Sequence, residues 1–90
     1  MIYEIRTYNC APGTAGEVVD IIGAAYPARQ KYSELAGFWS TDIGPLHQLV
    51  HVWPYESADD RLRVRKAAAK DPGWPPDTRD SIVDACSEIY

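Results

Sequence analysis

Ninety residues and 10.1 kDa fit one domain covering 1–90, and a chain this short buries only about 60–65% of the surface its unfolded form exposes, so a second copy would help it. A hydrophobic fraction of 46% beside 24% charged residues excludes wholesale disorder. Nine Lys and Arg against thirteen Asp and Glu leave a net charge of −4, which argues against a broad nucleic-acid-binding face.

Ile2-Tyr3-Glu4-Ile5-Arg6-Thr7-Tyr8 alternates and is rich in β-branched and aromatic residues, which predicts a strand. Ala11-Pro12-Gly13 breaks it, and Thr14-Ala15-Gly16-Glu17 matches a capping box. Apolar residues then recur at three and four from Ala15 through Val18, Val19, Ile22 and Tyr26 to Tyr32, an amphipathic helix. Pro27 should kink it or end its regular part near Tyr26, and Gly37 supplies the stop. Phe38 to Ile43 reads as a second strand and Gln48 to Tyr55 as a third, joined by a turn short enough for a hairpin. Ser57 caps a second helix that carries Arg61, Arg63, Arg65, Lys66 and Lys70, a solvated basic face, and stops before Asp71-Pro72-Gly73. Residues 74–80 read as loop, and Ile82 to Tyr90 as a fourth strand.

The order β-α-β-β-α-β with right-handed crossovers gives an α+β, ferredoxin-like domain: a four-stranded antiparallel sheet with both helices on one face. An aromatic-rich sheet face left in water needs a cover, and a second copy is the simplest one. The two cysteines, Cys10 and Cys86, form no CxxC and lack metal-ligand spacing, so a buried thiol is expected to act as a small hydrophobe and no metal site is expected. The longest apolar runs fall short of a bilayer span and the first ten residues lack a signal-peptide layout, which makes cytoplasmic the default location, away from membranes.

Alternation divides each strand into two sets. The apolar set, Ile5, Val50 and Val52, is expected under the helices with Val18, Ile22 and Leu62. The polar-aromatic set, Glu4, Arg6, Tyr8, His51, Trp53 and Tyr55, is then expected on the other side, facing a partner or a cavity. On the second strand Ser40 and Asp42 are placed beside Arg6 and His51, although Phe38 and Trp39 fall on opposite sets. Such a mix suits a ligand pocket, and equally a wet dimer interface.

Met1 to Tyr8 followed by Pro12-Gly13, then Arg29-Gln30-Lys31-Tyr32, Gly37-Phe38-Trp39, Ile43-Gly44-Pro45-Leu46, His51-Val52-Trp53-Pro54-Tyr55 and Asp71-Pro72-Gly73-Trp74, resemble the NIPSNAP family in order and register over residues 1–74. The resemblance implies a dimeric α+β barrel, two ferredoxin-like sheets closing around a cavity. His47 stands where the family usually has Asn, and Pro75-Pro76-Asp77 replaces a usual helical segment. Related barrels include cofactor-free oxygenases, heme-degrading enzymes and lactone isomerases, an analogy of fold alone.

His51 is the leading candidate for acid–base work and Arg6 for stabilising an enolate or oxyanion. Glu4 or Asp42 would orient the imidazole, Tyr8 would donate a hydrogen bond, and Trp39, Trp53 and Tyr55 would wall a flat ligand. Glu4 and Arg6 equally fit a structural ion pair across the dimer, and Arg29 with Tyr32 fit a pocket rim. With no phosphate loop, nucleophile elbow or metal triad, an enzyme here would work without a resident cofactor or take an external one. The expected function is small-molecule binding, extending to an oxygenase, isomerase or cyclase acting on an aromatic or polyketide-like substrate. The alternative is a dimeric ligand-binding or protein-interaction module.

Overall fold

In the computed structural model, which describes residues 1–76, 78 and 81–90, alternation in the first nine-residue run does produce a strand. The elements are β1 (Ile2–Cys10), α1 (Ala15–Gln30), β2 (Gly37–Ser40), β3 (Gln48–Tyr55), α2 (Ala58–Ala69) and β4 (Ile82–Ile89). The strands form one antiparallel sheet in the order β2-β3-β1-β4, with β1 and β3 at its centre. Both helices cover one face, so the ferredoxin-like topology follows from the element order. Asp77, part of the Pro75-Pro76-Asp77 departure, lies outside the described residues.

Helix α2 starts as expected, with the Ser57 hydroxyl accepting from the Asp60 N–H. Helix α1 departs from expectation at its start, and at Pro27 it does not end. The Thr14 hydroxyl donates to the carbonyls of Ala11 and Ser81 rather than accepting from the first turn, so no capping box forms. The helix also runs through Pro27 to Gln30. Two tertiary contacts hold its last turn: the Tyr26 hydroxyl accepts from the Leu35 N–H, and Arg29 donates to the Tyr55 hydroxyl. Strand β2 stops at Ser40, short of Ile43, and His47 takes a left-handed φ of 60° in the turn that follows.

The two sheet faces are the reverse of the expected ones. Glu4, His51, Trp53 and Tyr55 are buried between sheet and helices together with Leu49 and Cys10, while Ile5, Thr7, Val50 and Val52 lie half-buried on the open face. Val18 and Ile22 do pack inward, against Leu49 and Cys10, but Leu62 is 57% exposed and the buried apolar positions of α2 are Val64 and Ala68. Two forces decide the direction. Trp53 and Tyr55 each bring roughly 150–250 Å² of surface to bury, more than the valines opposite them. Of the polar groups that go in with them, the Glu4 carboxylate finds partners on α2 and β4 and the Tyr55 hydroxyl on α1, which offsets the cost of desolvating these two.

Arg61 and Arg65 share the inward face of α2 with Val64 and Ala68, because positions 61, 64, 65 and 68 recur at three and four. The basic run is therefore not uniformly solvated: Arg61 reaches the Glu4 carboxylate with two hydrogen bonds of 3.1 and 2.9 Å, and Arg65 lies 3.5 Å from it.

Candidate functional site

A cavity of about 160 Å³ opens between the sheet and the two helices. Its sheet side is built by Arg6 and Tyr8 of β1 and His51 and Trp53 of β3. Register explains the grouping: Arg6 pairs with His51 and Glu4 with Trp53, and all point to one side. Arg29 of α1 and Arg65, Ala68 and Ala69 of α2 form the opposite wall, where the alanines leave the space that larger side chains would fill. Trp74 and Pro75 close one side.

Trp74 is held there by the turn before it. The Asp71 carboxylate accepts from the Gly73 N–H at 2.8 Å and the Tyr32 hydroxyl at 2.9 Å, and pairs with Lys31 at 3.0 Å. A Cβ on Gly73 would stand 2.9 Å from the Cβ of Ala28 on α1, so a side chain there would push the turn away. The Trp74 ring meets Trp53 edge-on at 6.4 Å.

His51 occupies the centre. Phe38 of β2 stacks on it at 5.1 Å and Tyr8 meets it edge-on at 4.8 Å. The Trp53 indole N–H donates to His51 Nδ1 at 2.8 Å. With Nδ1 accepting, the neutral ring carries its proton on Nε2. That Nε2 is buried and has no hydrogen-bond partner among the described residues. Burial, helped by the charge of Arg6 and opposed by Glu4, lowers the His51 pKa to about 4. At neutral pH the ring is an uncharged hydrogen-bond donor.

Behind the cavity lies a charge cluster. Arg6 donates from Nη1 to Glu4 at 3.0 Å and from Nε to the Tyr8 hydroxyl at 3.2 Å, and Ser87 of β4 also donates to Glu4. Burial pushes the Glu4 carboxyl up, yet the hydrogen bonds from Arg61 and Ser87 and the charges of Arg65 and Arg6 outweigh it and hold its pKa at about 2. The Glu4–Arg6 pair is thus internal to one chain, and Glu4 anchors arginines rather than touching the cavity.

Of the expected site residues, Arg6, Tyr8, His51 and Trp53 come together. Tyr55 is buried beneath Arg29, accepting its hydrogen bond at 2.7 Å. Trp39 is 57% exposed on the open face, because Phe38, not Trp39, pairs with His51. Asp42 lies beyond the end of β2, exposed, so it orients nothing, and Ser40 pairs with Leu49 rather than His51. Arg65 and Trp74 were not expected at the site. The helical spacing of Arg65 with Val64 and Ala68 was the available signal for the first, and the Asp-Pro-Gly turn for the second. Cys10 sits in the core, where burial raises its thiol pKa, and Cys86 is exposed. Among the described residues no group of three or more His, Cys, Asp or Glu is placed to hold a metal ion, and no helix is long and apolar enough to cross a membrane.

A two-layer ferredoxin-like domain with a small polar-aromatic cavity between its layers defines the class. The NIPSNAP family model matches residues 3–89, and the chain belongs to that family. The protein NipSnap homolog of Dictyostelium discoideum is 40% identical over 73 residues, covering 81% of this chain and 33% of its own length. The chain spans about a third of the length of the curated relatives it matches first. A solved NIPSNAP family protein of unknown function from Agrobacterium tumefaciens superposes with a TM-score of 0.91 at 33% identity, covering 100% of this chain and 86% of that one. A protein from Nitrosomonas europaea, provisionally named an antibiotic biosynthesis monooxygenase, superposes at 0.76 with 12% identity over 100% and 96% of the two chains, which shows a shared fold alone.

Proposed function

We propose that this single domain is a small-molecule-binding protein that receives a flat organic ligand between sheet and helices and stabilises negative charge on a ligand oxygen. The orphaned Nε2–H of His51 carries the reading. A buried donor without a partner costs about 1–3 kcal/mol, and a ligand oxygen in the adjoining cavity would recover it. Arg6, beside His51 in register, adds charge at the same end. A neutral imidazole and a guanidinium aimed at one oxygen can polarise a carbonyl or stabilise an enolate without a resident cofactor. His51 and Arg6 would then be the catalytic pair of an oxygenase, isomerase or cyclase acting on an aromatic or polyketide-like substrate.

One observation favours binding without turnover. His51 Nδ1 is tied to Trp53 and the Glu4 carboxylate to its arginines, so among the described lining no free base stands ready to take a proton. The test is native mass spectrometry of gently purified protein, joined to a titration with 4-hydroxyacetophenone followed at the Trp53 indole N–H by NMR. A co-purifying small mass and a saturable shift are expected. Empty protein with an unmoved indole resonance at millimolar probe overturns the reading.

The open sheet face supports a homodimer. Ile5 pairs with Val52 and Thr7 with Val50 at its centre, flanked by exposed Trp39 and Tyr3, an apolar patch that a second sheet would cover. Sedimentation at micromolar concentration should give twice the chain mass, and Val52→Lys should give a monomer with its circular dichroism unchanged. A monomeric parent protein would rule the dimer out.

A further inference from the structure

The least expected group in the interior is Arg29. It is 3% exposed, and its two hydrogen bonds go to neutral hydroxyls, Ser33 and Tyr55, both at 2.7 Å. The three other inward arginines, Arg6, Arg61 and Arg65, gather on the Glu4 carboxylate, whereas Arg29 has no carboxylate partner among the described residues. A guanidinium stays charged at every accessible pH, and a buried charge is ordinarily paired because leaving water costs several kcal/mol. Its stacking on the Trp53 ring, 4.4 Å to the centroid, offsets only part of that cost. Two of its five N–H groups are used on those hydroxyls, and Arg29 lines the same cavity as His51.

We propose that the Arg29 end of the cavity is a carboxylate subsite, and that the ligand is a small flat carboxylic acid with a second oxygen function at its far end. This rests on the reading of the cavity given above. The acid group sits on Arg29, the ring lies along Trp53 and Trp74, and the distal oxygen meets the His51 Nε2–H and Arg6. The order follows from Trp53, which touches both ends: its ring carries Arg29 and its N–H holds His51. A cavity of 160 Å³ equals about five waters of liquid volume, about the size that takes one benzene ring, so the polar groups at the two ends of the acid would reach its Arg29 and His51 margins.

The experiment compares 4-hydroxybenzoate with 4-hydroxybenzamide, which match in shape and differ in charge, by titration at the Trp53 indole N–H in the full chain. The carboxylate is expected to bind about tenfold or more tightly, the scale of a charge-assisted hydrogen bond, and Arg29→Met should reduce that preference to within about threefold. Arg29→Lys keeps the charge and should retain part of it, and the wild-type comparison stands by itself should either variant not fold. Equal binding of both probes overturns the subsite while leaving the cavity reading intact. A carboxylate preference that survives in Arg29→Met assigns the charge elsewhere and also overturns it. Silence of the indole resonance to both probes removes the cavity reading and the subsite with it.

Discussion

Glu4→Gln should destabilise the protein by about 3–5 kcal/mol, the usual result of removing one partner from a buried ionic cluster. The substitution keeps the shape and deletes the carboxylate that, among the described residues, is the only negative charge paired with Arg6, Arg61 and Arg65, and it sets amide hydrogens against their donors. A 90-residue domain holds roughly 5–13 kcal/mol in all, so the variant should melt at least about 12 °C lower. Acid supplies a second readout. The Glu4 carboxyl titrates near 2 in the folded chain and near 4.5 unfolded, so its contribution is complete above pH 4.5 and lost as the pH falls towards 2. The urea midpoint of the parent protein should fall through that window, and that of Glu4→Gln should lack this part of the slope. Glu4→Asp, which keeps the charge, should recover part of both. A Glu4→Gln protein within 1 kcal/mol of the parent, with the same acid slope, would show that the cluster contributes nothing net.

His51→Asn should separate structure from function. The Asn amide oxygen can stand close to where Nδ1 stood and keep the Trp53 N–H satisfied, while the donor at Nε2 disappears. Lost packing against Phe38 and Tyr8 should cost about 1–2 kcal/mol, leaving a folded protein. Ligand affinity should fall about tenfold or more, and turnover, for a ligand that is a substrate, by about 10²–10³. The pH profile gives an independent check. The ring titrates near 4 when folded and near 6.5 when unfolded, so the unfolded chain takes the proton first and stability falls between pH 6.5 and 4. His51→Asn should lack this part of the slope. Unchanged affinity in a folded variant would remove His51 from the site.

Where the chain turns and pairs was written locally. Alternation from Ile2 onward, Gly and Pro between the strands, and Ser57 before the second helix placed five of the six elements within two or three residues, and β2 came out shorter. The signals at Thr14 and Pro27 describe an isolated helix, and neighbouring groups settle both places: the Thr14 hydroxyl donates to Ala11 at 2.7 Å and to Ser81 at 3.3 Å instead of capping, and Tyr55 holds Arg29 beyond the proline.

The site was legible as a set of residues and illegible as a place. Period-two alternation put Glu4, Arg6, Tyr8, His51, Trp53 and Tyr55 on one face without error, because the pleat allows nothing else. Which way that face pointed depended on groups remote in sequence. Ser87 lies 83 positions from Glu4, and Arg61 lies 57. Counting polar atoms along one strand assigns a face with Glu, Arg and His to the outside, but burial is decided by whether those atoms find partners once they are inside.

The sequence by itself determined the family, the order of elements and the grouping of side chains, since these rest on local periodicity and turn chemistry. Only the tertiary structure decided that the polar-aromatic face turns towards the helices, that Glu4 gathers arginines instead of lining the cavity, and that Arg29 is buried without a counter-charge among the described residues. Each of these depends on contacts between distant segments, where desolvation, pairing and the bulk of two aromatic rings outweigh what any single strand prefers.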